Sequence, residues 1–235
     1  MDKPLVVASN MFNEIDQVEE WFANMVQIAD AGILIVDTGS TDGTDDFFEE
    51  KEDDGYDVVY IRDDIILREG YGPARNHLRE MSRQHFPTAH WMIYLDADER
   101  ILEEDFHTLR FLKEYLNEEF DVIALPRLNR LNKDTMDTKV DYHLHPDYQA
   151  RMTRLNSPVQ YIRKLHEQIV GHKRIYAELG NPKIHHFHRS TDKQKRDYIG
   201  KVCAKLHMED QDYGDTYPEH HKEAYYRELL EKEGL

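Results

Sequence analysis

Between residues 5 and 95 this sequence alternates two kinds of segment. Short apolar runs at residues 5–9, 32–37, 57–61 and 91–95 read as strands, and the stretches at 15–29, 42–51 and 74–84 read as helices. Strands that follow one another through helices are joined by crossovers. The order therefore predicts a doubly wound α/β fold, with a mainly parallel sheet covered by helices on both faces. Sheets of this kind bind ligands beyond the carboxyl ends of their strands, and the polar loop residues here fall at those ends.

Two of these ends carry chemistry. The run Trp91-Met92-Ile93-Tyr94-Leu95 stops at Asp96-Ala97-Asp98-Glu99. In an extended segment Asp96 and Asp98 point to one side, so their carboxylates can converge on one divalent cation, or divide cation and ribose hydroxyl between them. Mg²⁺ and Mn²⁺ take such oxygen ligands and share them with substrate phosphates. An acidic turn that caps a following helix would leave the same letters. After the second strand, Val36-Asp37-Thr38-Gly39-Ser40-Thr41-Asp42-Gly43-Thr44 puts a carboxylate, two glycines and a capping Asp42 into one turn. That is a plain strand-to-helix turn, or a nucleotide pocket in which Asp37 accepts hydrogen bonds from base or ribose and Gly39 permits close backbone approach.

The chain has 235 residues, with no Pro/Gly/Ser-rich linker and no repeat, so one compact domain is expected over residues 1–190. Residues 191–235 read as a charged helical extension packed on the same domain, with Tyr198, Val202 and Leu206 at helical spacing on one face. No stretch approaches the roughly 20 apolar residues of a membrane span, and the first apolar run is too short for a secretory core. A cytoplasmic protein without an integral membrane span is expected, one able to meet a lipid-linked acceptor at a membrane surface. The single Cys203 excludes an intrachain disulfide and reads as a helix-packing residue. The formal charge of −17 argues against nucleic acid as a partner. A chain this acidic needs a cation and local arginines to hold a nucleoside diphosphate.

In their order and spacing these motifs resemble family 2 glycosyltransferases, inverting enzymes of the GT-A fold. The turn at 36–44 and the Asp-x-Asp are similar to the family's own, Asn13-Glu14 to the pair after its first strand, and Gly72-Pro73-Ala74-Arg75-Asn76 to its Gly-x-x-Ala-Arg-Asn segment. Pro146-Asp147-Tyr148-Gln149-Ala150-Arg151-Met152 and Leu165-His166-Glu167-Gln168 resemble the lipopolysaccharide-glucosyltransferase-like branch. The likeness runs over roughly residues 4–190.

The resemblance implies a donor site of Asn13, Glu14, Asp37, Gly39, Arg75 and Asp96, with Arg75 near the diphosphate, where a planar guanidinium suits phosphate oxygens. A surface pairing of Arg75 with Glu80 is the competing reading, and Asn76 reads as a loop anchor. Asp98 is expected to bind Mn²⁺ or Mg²⁺ directly, with Asp96 shared between ribose and metal and Glu99 orienting them. The segment Ile184-His185-His186-Phe187-His188 reads as a short strand that turns His186 and His188 to one side, where one of them closes the metal site. Half-buried sheet histidines would look the same. Glu167 is expected to be the catalytic base, with His166, Asp147 and Tyr148 on the acceptor side. Asp141 and Asp147 are competing carboxylates. Tyr71, Tyr142, Tyr148 and Tyr161 either stack on sugar rings or pack.

The function implied is transfer of one sugar, with inversion, from a nucleotide-diphosphate sugar to a hydroxyl of a glycan or glycoconjugate, as in polysaccharide biosynthesis. UDP is the default nucleotide, with dTDP and GDP as alternatives. A sugar nucleotidyltransferase would show a glycine-rich basic loop near the first strand, where this chain has Ala8-Ser9-Asn10-Met11-Phe12-Asn13-Glu14. A non-catalytic binding module would keep the donor pocket and lack a working base.

Overall fold

The computed structural model describes residues 3–130, 147–187 and 193–210. Strands β1 (Leu5–Met11), β2 (Gly32–Asp37), β3 (Val58–Arg62) and β4 (Trp91–Tyr94) lie in the order β3-β2-β1-β4, all parallel. The crossovers are α1 (Ile15–Met25), α2 (Thr44–Asp53) and the consecutive helices α3 (Ile65–Glu69) and α4 (Tyr71–His85). Alternate side chains of a strand face opposite ways, and the core divides accordingly. Leu5 and Val7 pack with Trp21 and Phe22 of α1 and Phe48 of α2, whereas Val6 and Ala8 pack with Ala74 and Leu78 of α4. Both faces of β1 are buried from Leu5 to Ser9, which is why the strand opens on an unbroken apolar run, Leu5-Val6-Val7-Ala8, rather than alternating.

Beyond β4 come β5 (Glu99–Ile101), α5 (Glu103–Tyr115), β6 (Val122–Arg130), β7 (Asp147–Arg154), β8 (Gln160–Ile162), β9 (Gln168–Val170), β10 (Ile175–Tyr176), β11 (Ile184–Phe187) and α6 (Lys193–Glu209). The sheet continues as β4-β7-β6-β11-β5. β7 enters antiparallel between β4 and β6, β5 closes the edge antiparallel to β11, and β10 and β11 run parallel to β6. The parallel expectation thus holds over the first four strands and gives way to a mixed arrangement afterwards. Periodicity fixes which face a side chain takes and says nothing of strand direction. Strands β8 and β9 form a separate antiparallel ribbon.

Helix α6 lies on the α4 side of the sheet. Leu206 is fully buried there, Val202 and Cys203 pack against the same cluster, and the Tyr198 ring stacks on Phe12 at 4.6 Å. The spacing of Tyr198, Val202 and Leu206 is therefore used as expected. Residues 211–235 of the extension lie outside the described residues. Among the described residues no helix is long and apolar enough to cross a membrane.

At the amino end of β4 the Arg154 guanidinium lies 4.1 Å over the Trp91 ring and donates to the carbonyls of Phe120 and Leu116 and to the His90 ring. Burial, and after it the neighbouring Arg154, hold the His90 imidazole below its ordinary pKa of 6.5. The unfolded chain then binds a proton that the folded chain resists, so stability is complete above pH 6.5 and falls on acidification below it. Melting temperature followed against pH should show this loss in the parent and a shallower one in His90→Asn. Equal slopes in both would remove His90 from the cause.

Candidate active site

The carboxyl ends of β1 and β2 are in register, with Met11 opposite Asp37. The Asp37 carboxylate turns inward. Its Oδ1 accepts from the Gly39 and Ser40 amides, both at 2.7 Å, and its Oδ2 accepts from the Ser40 hydroxyl at 2.6 Å. Asn13, left-handed at φ 53°, ties this turn to β1: its amide donates to Ser40 Oγ and its Oδ1 accepts from the Thr41 amide. The Glu14 amide donates to Thr44 Oγ1. Gly39 sits at φ 110°, which L side chains rarely adopt, with open space where a Cβ would stand. Asp37 is fully buried, so a contact with base or ribose through its carboxylate would displace one of these bonds. The α2 cap position belongs to Gly43 rather than Asp42. Asp42, one residue earlier, accepts from the Thr44 amide and from the Ile15 amide, and so serves the first turns of two helices.

β4 ends at Tyr94, so Asp96 and Asp98 lie beyond the extended segment, and their carboxylates take different partners although both residues line one cavity. Asp96 Oδ1 lies 3.2 Å from Arg75 Nη2, and Asp96 Oδ2 lies 3.1 Å from Arg151 Nη2. Asp98 Oδ2 faces His186 Nε2 at 3.1 Å. Glu99 fastens the turn: its Oε2 accepts from the Asp96 amide at 3.0 Å and its Oε1 from Arg151 Nη2 at 2.7 Å. Glu99 thus braces the Asp96 backbone and Arg151. Burial opposes charge on Asp96, but Arg151 and then Arg75 outweigh it and hold the carboxyl well below the usual range. Burial pushes Glu99 up to about 7, against the pull of Arg151.

The Asp98–His186 pair has the chemistry of a metal site. His186 Nδ1 faces Asn129 Oδ1 at 2.8 Å and donates to it, which directs the other ring nitrogen, Nε2, at a carboxylate. Without a cation that nitrogen must carry a proton. Burial lowers the His186 pKa and the Asp98 hydrogen bond more than restores it, so that the net direction is up. A divalent cation between carboxylate and imidazole would satisfy both, with Asn129 fixing the tautomer from behind. Among the described residues no three or more His, Cys, Asp or Glu side chains gather to hold a metal. The donor set fits a hard cation whose other ligands are phosphate oxygens and water. His188 lies outside the described residues, as do Asp141 and Tyr142.

Arg75 stands at the centre. Its buried guanidinium donates from Nη2 to Asp96 and from Nε to Glu167 Oε1 at 3.2 Å, and it lies 3.8 Å over the Tyr94 ring. It does not pair with Glu80, whose partners are Arg83 and Gln84. Asn76 exchanges two hydrogen bonds with the Tyr161 backbone and so anchors strand β8 rather than the loop expected. Two cavities meet at Tyr71, Arg75 and Asp96. The smaller, about 270 Å³, is lined by Glu14, Thr38, Asp98 and His186 and roofed by Tyr198 and Val202 of α6. The larger, about 530 Å³, is lined by Arg127, Gln149, Arg151, His166 and Glu167. Asp147 holds Arg127 and Gln149, at 2.8 and 2.6 Å, and lines neither cavity. Tyr148 also lines neither, whereas Tyr161, buried with its hydroxyl on the Ala150 carbonyl, forms part of the wall of the larger cavity.

Arg151, Arg127 and Tyr94 were not singled out by sequence reasoning. Arg151 is buried and lies 4.3 Å over the Tyr94 ring, and its Nε and Nη1 have no hydrogen-bond partner among the described residues. The available signal was an arginine inside a sheet-forming stretch, a costly residue to bury unless paired.

A sequence model described as glycosyl transferase family 2 matches residues 10–162. No curated protein matches the chain in sequence. Among solved structures, S. aureus TarS residues 1–349 is similar at a TM-score of 0.54 and 13% identity, over 97% of this chain and 69% of that one. The mannosyltransferase PcManGT from Pyrobaculum calidifontis, in complex with GDP-Man and Mn²⁺, gives 0.54 and 14% over 96% and 70%. Glucosyl-3-phosphoglycerate synthase from Mycobacterium tuberculosis, in complex with Mn²⁺, UDP and glucosyl-3-phosphoglycerate, gives 0.51 and 12% over 91% and 82%. At these identities the likeness is one of fold.

Proposed function

The chain belongs to glycosyl transferase family 2, and from that premise we propose that it moves one sugar, with inversion, from a nucleoside-diphosphate donor to a hydroxyl of a glycan or glycoconjugate. A UDP-sugar is the default donor. The donor lies in the smaller cavity, with its diphosphate toward Asp98 and His186, and the acceptor enters the larger one. The observation that carries this reading is the Arg75 guanidinium, which joins Asp96 to Glu167 where the two cavities meet.

Glu167 takes the proton of the acceptor hydroxyl as its oxygen bonds to the anomeric carbon. On the opposite face the bond from that carbon to the diphosphate oxygen breaks, and the nucleoside diphosphate leaves with the electron pair. Arg75 holds Glu167 and keeps Asp96 ionised. Asp98 and His186 would hold Mn²⁺ or Mg²⁺, which when bound acts as a Lewis acid on the leaving diphosphate. The Mn²⁺ in two of the similar structures supports this choice.

The test is a thermal-shift panel of UDP-, GDP-, dTDP- and CMP-sugars, each with and without Mn²⁺. A ligand at a hundred times its Kd adds about 2.7 kcal/mol, roughly 5–10 °C for a chain of this size. A shift with one nucleotide that requires Mn²⁺ and disappears in Asp98→Ala is the expected result. Equal shifts with and without metal would remove the cation from the reading, and no shift with any donor would remove the donor site.

A further inference from the structure

We propose that helix α6 positions the catalytic base, through an ion pair of Asp210 with Arg163 that fixes the segment carrying Glu167. The inference rests on the reading of Glu167 as base and assigns Asp210 and Arg163 as positioning residues.

The segment 163–167 cannot hold its shape alone. Arg163 at φ 78° and His166 at φ 54° are non-glycine residues in the left-handed region, which persists only where the surroundings over-determine it. Two clamps do so. The first is the start of α4: the Gly72 amide donates to the Arg163 carbonyl at 3.0 Å, and the Tyr71 amide to the Lys164 carbonyl at 2.7 Å. The approach is close enough that a Cβ on Gly70 would stand 2.6 Å from Lys164 Cα, and one on Gly72 2.3 Å from the Arg163 oxygen. Arg75 follows one turn later on the same helix, so this clamp keeps Arg75 and Glu167 in reach of each other.

The second clamp comes from the end of α6. Asp210 Oδ2 accepts from Arg163 Nε at 3.2 Å and Oδ1 accepts from the Lys164 amide at 3.1 Å. The two charged side chains are only 9% and 5% exposed, and a buried pair of this kind tolerates little displacement. Beside it, Glu209 pairs with Lys164 Nζ at the surface. The first clamp holds carbonyls and the second holds an amide and a side chain, so neither replaces the other. The sequence match ends at residue 162, and both Arg163 and Asp210 fall beyond it. Helix α6 also lines the donor cavity with Tyr198 and Val202 and the acceptor cavity with Cys203, so one helix touches both substrates' space and the loop between them.

The experiment compares Asp210→Ala, Arg163→Gln and the control Glu209→Gln in the full chain. The readouts are binding of the donor selected from the nucleotide-sugar panel, release of its nucleoside diphosphate at saturation with water as acceptor, and amide exchange of a peptide covering 163–168. Displacing the base is expected to slow release roughly 10- to 100-fold, while donor affinity holds and exchange of that peptide alone quickens. Glu209→Gln should match the parent. If the single variants do not fold, Arg163→Gln/Asp210→Asn removes both charges together, leaves no lone buried charge, and should show the same separation. A full rate with a lowered melting point would make the pair a plain helix anchor and overturn the proposal, as would a loss of donor affinity with the saturated rate kept. Glu167→Gln run alongside separates the two readings. If it abolishes release and the Asp210 variants do not, only the clamp fails; if it releases at the parent rate, the base assignment fails and the clamp's purpose with it.

Discussion

Glu167→Gln is expected to lower turnover by about 10²- to 10⁴-fold, the range that a positioned general base contributes, while leaving donor binding within a small factor. The substitution keeps the side-chain shape and leaves an amide oxygen to accept from Arg75 Nε, which now lies 3.2 Å from Glu167 Oε1. It removes the ability to take a proton. Glu167 lines the larger cavity and not the smaller one, so the donor pocket should keep its affinity. Release of nucleoside diphosphate measured beside donor titration separates the two effects. Turnover within tenfold of the parent would move the role to another carboxylate, with Asp147 weakened as a candidate because it is tied to Arg127 and Gln149. Lost donor affinity would place Glu167 in donor binding instead.

Arg75→Met should cost most in stability. It removes the guanidinium that bonds Asp96 and Glu167 and leaves Asp96, among the described residues, with the Arg151 ion pair alone. Breaking a buried pair from one side costs about 3–5 kcal/mol. The Asp96 side chain is 38% exposed, so water relieves part of the loss and the lower end applies. About 3 kcal/mol corresponds to roughly 6–12 °C in melting temperature. Arg75→Lys should recover little of it, because a point charge cannot reach two carboxylates and lie flat on Tyr94 as the guanidinium does. A change below about 2 °C in either variant would mean that both carboxylates turn to solvent without penalty.

What was legible depended on distance along the chain. The turn after β2 closes through Asp37, Gly39 and Ser40, neighbours in sequence, and its letters announced a strand-to-helix turn. Asp98 was visible as a donor type after a strand end and His186 as one within a short strand, but their meeting across 88 positions required β11 to pair with β5. The expectation that Asp96 and Asp98 point together assumed an extended backbone. The strand stops two residues too early for that, and the arginines then claim Asp96. Arg151 was hidden for a related reason: a charged residue in a strand reads as solvent-facing unless its buried partners are known, and those partners are Asp96 and Glu99, 55 and 52 positions away.

The sequence by itself determined the alternation of strands and helices over the first half, from which crossover connections imply a parallel sheet with helices on both faces, and the strand ends at which polar residues collect, because short apolar runs and helical patterns are local consequences of backbone geometry. Only the tertiary structure decided that β7 runs antiparallel between β4 and β6, and hence that Arg151 reaches Asp96. It likewise decided that Arg75 spans 21 positions to Asp96 and 92 to Glu167, and that α6 returns to grip the loop before Glu167. Such contacts depend on which strands and helices become neighbours. That is settled by the burial of whole faces against one another, and no local pattern of residues encodes it.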